Sequence, residues 1–88
     1  MMSNLDMFTN QAYNVLSFLY DKRVDKTFVA ITQSEIADEL GSNKMTINNI
    51  FKDLKQSEYI IQEEKKLGRY HLTDKAIKLV EGFRKSIK

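Results

Sequence analysis

Apolar residues recur along this chain with two different periods, and the alternation between them lays out the elements. Over residues 4–21, Leu5, Phe8, Ala12, Val15, Leu16 and Leu19 fall at helical spacing. A charged break follows at residues 22–26. Residues 27–31 contain Phe-Val-Ala-Ile, a short strand-like run. Ile36, Ala37 and Leu40 then share one face of a short helix. Ile47, Ile50, Phe51 and Leu54 form the stripe of a third helix, predicted over residues 43–57. Residues 59–62 and 69–72 read as the two strands of a hairpin, joined by a polar turn that ends in Gly68. Ala76, Leu79, Val80, Phe83 and Ile87 make the inner face of a last helix.

The boundaries carry their own signals. Thr32-Gln33-Ser34-Glu35 is a capping box, in which the Thr32 hydroxyl accepts from the Glu35 N–H and the Glu35 carboxylate accepts from the Thr32 N–H. Gly41 closes the second helix, since glycine tolerates the left-handed conformation needed there. Ser42 is expected to cap the third helix and Thr73 the last. The predicted fold class is α+β, mainly α: a three-helix core, a small β-hairpin wing (residues 59–72) and a C-terminal helix, in one domain over residues 1–88.

Composition narrows the function classes. There is no cysteine, so disulfides, Cys-ligated zinc and iron–sulfur clusters are excluded. The N-terminal residues carry no basic cluster ahead of a long apolar run, so neither a secretory signal nor a membrane span is expected, and the expected location is cytoplasmic. His71 is the only histidine and stands in a strand without neighbouring ligand types; no metal site is expected. Neither a nucleophilic triad, nor a phosphate loop, nor paired carboxylates occur at motif spacing, so the chain reads as a non-enzyme without a cofactor. The net charge of +2 is unevenly placed. Residues 1–42 hold three basic and six acidic side chains, and residues 43–88 hold eleven basic and six acidic. The basic half suggests an anionic partner.

Residues 33–52, QSEIADELGSNKMTINNIFK, are the most specific segment. Two short helices crossing steeply need a small residue at the crossing, here Ala37, and a residue tolerant of positive φ at the turn, here Gly41. Ile47 and Ile50 pin the second helix, and Ile36 and Leu40 fill the other side. At these packing positions the segment resembles the bacterial helix-turn-helix. The following EYIIQEEKKLGRYHLTDKAIKLVEGF resembles the wing and closing helix of MarR-like winged-helix regulators, with their Leu-Thr step at Leu72-Thr73. The compact layout is also similar to TubR-type centromere-binding adaptors of plasmids and phages, in Ala12, Tyr13, Val15 and Leu16 of the first helix and in the Gly-Arg at the wing.

With the apolar stripe of the third helix turned inward, Met45, Asn48, Asn49 and Lys52 point away, and Asn43, Lys44 and Thr46 lie at the end that enters the major groove in this motif. Asn pairs with adenine, Lys donates to guanine, and Met or Thr touches a thymine methyl. No carboxylate appears on that face before Asp53. Gln33, Ser34 and Ser42 are candidate phosphate contacts beside a helix N-terminus. Lys65, Lys66 and Arg69 form a basic wing suited to phosphates or a minor groove. Glu35, Asp38 and Glu39 must face elsewhere for this reading to hold. Tyr13, Phe18 and Tyr20 lie partly off the core stripe and fit two readings: ordinary surface aromatics, or a dimer patch shared with Phe83 and Ile87.

The resemblance implies sequence-specific binding of double-stranded DNA by a dimeric transcriptional regulator, a repressor, joined through its first and last helices. Two alternatives stand beside it. A segregation adaptor would use the same DNA chemistry and hand its DNA to a protein partner. A winged-helix protein-interaction module would not bind DNA at all.

Overall fold

The computed structural model describes residues 11–63 and 68–86. Its elements in chain order are α1 (Gln11–Asp21), β1 (Phe28–Ala30), α2 (Gln33–Leu40), α3 (Lys44–Gln56), β2 (Ile60–Gln62), β3 (Arg69–Leu72) and α4 (Asp74–Ser86). This is the mainly helical α+β winged helix-turn-helix expected from the pattern. Leu5, Phe8, Lys65, Lys66 and Ile87 lie outside the described residues.

The core gathers one face from every helix. Val15, Leu16 and Leu19 of α1 meet Ile36 and Ala37 of α2, Ile47, Phe51 and Leu54 of α3, and Ala76 and Val80 of α4, all buried. Each large apolar side chain taken out of water contributes about 1.5–3 kcal/mol. No polar or charged residue is buried among the described ones.

The hairpin does not stand alone. β3 lies between its partner β2 and the short β1, both antiparallel, with Val29 opposite Tyr70 and Gln62 opposite Tyr70 on the other side. Strand alternation turns Tyr70 and Leu72 into the core and leaves Arg69 and His71 on the outer face. Beyond the strands, Leu72 N–H donates to Thr27 O at 2.9 Å and Ile31 N–H to Gly68 O at 2.8 Å. Gly68 has φ +74°, and a Cβ there would stand 3.2 Å from Thr32 Cγ2. That close approach ties the base of the wing to the start of α2.

Two expectations at the helix-turn-helix need correction. Leu40 does not seal the crossing of the two helices; it is 36% exposed. The cap of α3 is Asn43 rather than Ser42: Asn43 is extended, and its Oδ1 accepts from Thr46 N–H at 2.8 Å. Ser42 lies one residue too early and closes the preceding turn, donating its N–H to Ala37 O at 2.8 Å while Gly41 sits at φ +65°. On α4, Leu79 and Phe83 are half-buried rather than fully inside.

Candidate nucleic-acid interface

The capping box of α2 forms as its sequence requires. Glu35 N–H donates to Thr32 Oγ1 at 3.1 Å, and Thr32 N–H donates to Glu35 Oε1 at 2.9 Å. The Glu35 carboxyl is held below its ordinary value, first by the Thr32 N–H and then by the Thr32 hydroxyl. The N–H groups of Gln33 and Ser34 have no acceptor within the helix, so they remain donors at its positive end. Thr73 repeats the device on α4, where its hydroxyl accepts from Ala76 N–H at 3.2 Å and donates to Glu58 O at 2.7 Å.

The start of α2 borders a cleft of about 490 Å3. One wall is the N-terminus of α2, with Thr32, Gln33 and Ser34. The second is α3, with Lys44, Asn48 and Lys55. The third is the sheet, with Gln62, Gly68 and Tyr70. Among the described residues, two lysines line this cleft and no carboxylate does. Glu35, Asp38 and Glu39 are exposed and none of them is a lining residue; the Glu35 carboxylate is engaged by Thr32 at the edge of the cleft.

Sequence-predicted residues divide between the cleft and its surroundings. Gln33, Ser34, Lys44 and Asn48 come together in it. Met45, Asn49 and Lys52 are exposed on the outer surface of α3, Met45 at 75%. Thr46 is half-buried, and the Asn43 carbonyl oxygen is occupied by capping, which leaves its amide N–H groups for a ligand. Ser42 faces the other way, into a hollow between α1 and α3 shared with Leu40, Asn14 and Phe18. Arg69 lies on the outer face of the sheet, 5.9 Å from the Phe28 ring. Lys65 and Lys66 lie outside the described residues.

Five cleft residues, Thr32, Lys55, Gln62, Gly68 and Tyr70, are not among the site residues expected from the sequence. Lys55 lies near the end of α3, three turns from Lys44, and donates to Gln62 Oε1 at 3.1 Å. Tyr70 is 2% exposed, its ring edge-on to Phe51 at 4.8 Å, yet its hydroxyl end lines the cleft and accepts from Gln33 Nε2 at 3.4 Å. The signal available was strand alternation, which puts residue 70 inside but does not say what its para-oxygen meets.

His71 bridges the sheet instead of facing the cleft. Its Nδ1 is 3.0 Å from Thr27 Oγ1 and its Nε2 is 2.9 Å from Glu63 Oε2. Among the described residues no group of three or more His, Asp or Glu side chains is placed to hold a metal ion. No helix among them is long and apolar enough to cross a membrane.

The dimer-patch aromatics are largely engaged within the chain. Tyr13 stacks on Phe83 at 4.8 Å, and Tyr20 Oη donates to Glu81 Oε2 at 2.8 Å. Arg84 donates to Ser17 Oγ at 2.7 Å and Asp21 Oδ1 at 3.0 Å. That Asp21 bond pushes the guanidinium's pKa upward.

Comparison with known proteins adds a structural context. No protein-family model matches the chain, and no curated protein does. Among solved structures the chain is similar to S. aureus MepR in complex with DNA, with a TM-score of 0.70 and 29% identity over 92% of this chain and 67% of that one. It is also similar to a MepR variant from a multidrug-resistant S. aureus clinical isolate, with a TM-score of 0.67 and 29% identity over 85% of this chain. The chain spans 67% of the length of the first and 54% of the second. MepR is a winged-helix regulator of the MarR family.

Proposed function

We propose that this MarR-like winged-helix protein binds double-stranded DNA as a transcriptional regulator, with α3 in the major groove and the cleft seated on the phosphate backbone. The observation that carries the reading is the lining of the cleft: among the described residues it holds two lysines, the N–H groups at the start of α2 and a hydroxyl, and no carboxylate. DNA is a dense line of negative charge, and a surface meant for it gains by excluding carboxylates. The 29% identity to a MepR solved on DNA supports the same reading.

In this proposal Lys44 and Lys55 neutralise phosphates beside Gln33 and Ser34, while Asn49, Met45 and Lys52 meet base edges. The role is binding rather than catalysis, and the setting is the cytoplasm. Two copies act together, joined through α1 and α4. Those helices are fastened within each copy by the Tyr13–Phe83 stack and the Arg84 bonds, which gives a platform for the second copy. Half-sites would then lie about 10 bp apart, one turn of the duplex. The regulator acts as a repressor.

Footprinting the purified protein on the DNA flanking its gene tests this. One or two palindromic sites over a promoter are the expected result, and Asn49→Ala should lower the preference for those sites over unrelated DNA. A long array of evenly spaced repeats would replace the repressor with a segregation adaptor. A blank footprint from folded protein at low salt would leave only the protein-interaction module.

A further inference from the structure

Tyr70 is the most deeply buried side chain that reaches the cleft. Its ring is fixed on three sides: by Phe51 beneath it, and by the paired strands carrying Val29 and Gln62. Only the hydroxyl end meets the cleft. That oxygen accepts from Gln33, and its own proton has no acceptor among the described residues. The Gln33 contact is long at 3.4 Å, so an anionic oxygen at ordinary hydrogen-bond distance competes for the hydroxyl whichever way the amide is turned.

What surrounds the hydroxyl selects the ligand. Lys44 and Lys55 offer ammonium groups, and Gln33 and Ser34 offer backbone N–H donors at a helix N-terminus. The charged acceptor that satisfies several converging donors at once is a phosphate. We infer that the Tyr70 hydroxyl is a rigid, uncharged anchor for one backbone phosphate of the duplex, fixing how deeply the recognition helix seats. Tyr70 is then a positioning residue: the lysines supply attraction from any direction, and the hydroxyl accepts only one placement. The inference rests on the DNA reading above.

Tyr70→Phe removes one oxygen and keeps the ring against Phe51, so the melting temperature should stay at the wild-type value. Affinity is then measured on a mixed-sequence duplex and on the footprinted site across a range of salt. The expected result is a loss of about tenfold on both duplexes, the size of one hydrogen bond to a charged group. The slope of log K against log salt should not change, because no charge is removed. Lys55→Ala, in contrast, should lower that slope by about one. Phosphate ethylation should identify one phosphate per half-site whose modification weakens the wild type but not Tyr70→Phe. Inorganic phosphate at matched ionic strength should not compete with the duplex.

Wild-type affinity in Tyr70→Phe would overturn the anchor while leaving DNA binding intact. So would competition by inorganic phosphate that disappears in that variant, which would make the cleft a site for the free ion. A wild-type protein that binds neither duplex at low salt would overturn the DNA reading and the anchor together.

Discussion

The cleft between α2, α3 and the sheet and the seam between α1 and α4 draw on similar side chains and leave them in opposite conditions. At the seam, Arg84 is bonded to both Asp21 and Ser17, Tyr20 donates to Glu81, and Tyr13 stacks on Phe83. Its donors meet acceptors inside the same chain. In the cleft, Lys44, Asn48 and Ser34 make no side-chain hydrogen bond to any described residue, and the Tyr70 proton is unspent. Polar groups that satisfy one another hold helices together. Donors that keep unspent protons beside Lys44, even where Lys55 and Gln33 have partners of their own, are available to a ligand.

The contrast can be broken at the seam first. Arg84→Ala should lower folding stability by about 2 kcal/mol, since it strips the charged hydrogen bonds that join α4 to α1, with solvent exposure limiting the loss. DNA affinity of the folded protein should be unchanged as long as the dimer survives. A chemical denaturation curve paired with a binding isotherm separates the two readouts, and a stability near wild type would mean the seam bonds contribute little.

The frame of the cleft gives the next effect. The turn after α2 and the turn after α3 close alike, with Ser42 N–H on Ala37 O and Tyr59 N–H on Leu54 O. The first places Gly41 at φ +65°; the second forces Glu58 to φ +63°. Gly41→Ala should destabilise by about 1–1.5 kcal/mol, because nothing but backbone strain opposes the added methyl. Glu58→Gly should stabilise by about 0.5–1 kcal/mol by relieving the same strain. Thermal melts of the two variants should move in opposite directions. A shift of the same sign in both would show that side-chain contacts, not φ, decide these turns.

The smallest effect is the acid sensitivity of the α2 cap. The Glu35 carboxyl lies below its ordinary 4.5 in the folded chain. A carboxyl depressed by folding contributes its stability above the unfolded value and loses it as pH falls through the folded one. The melting temperature should therefore decline as pH drops below about 4.5, and Glu35→Gln should shrink that decline. Asp25 has the same sign, because it accepts from the Phe28 and Thr27 N–H groups. An acid decline as steep in Glu35→Gln as in wild type would remove Glu35 from the account.

What the sequence discloses of this molecule is what local rules govern. The Thr32–Glu35 box, the Ala37 crossing and the Gly41 turn each depend on residues within one or two helical turns, and they form where the spacing puts them. Local rules also misplace the α3 cap by one residue. Ser42 and Asn43 are both good caps; Ser42 lies in the turn that closes α2, and Asn43 is the extended residue whose Oδ1 accepts from Thr46 N–H. Leu40 matches a core period but lies at the end of its helix, where it is 36% exposed. The candidate site was legible along α2 and α3, at Gln33, Ser34, Lys44 and Asn48. Its third wall was not. Gln62, Gly68 and Tyr70 form it because β3 pairs with both β2 and β1, and that pairing is set by tertiary packing; Lys55 of α3 is joined to that wall through Gln62.

Salt titration of a Lys44→Ala, Lys55→Ala double variant tests whether the cleft binds duplex DNA. Fluorescence anisotropy of a labelled duplex should show wild-type log K falling linearly with log salt. The slope in the double variant should be shallower by about two, with at least tenfold weaker binding at low salt and an unchanged melting temperature. A double variant that binds with the wild-type slope and affinity would contradict the account, and would move the interface away from the cleft.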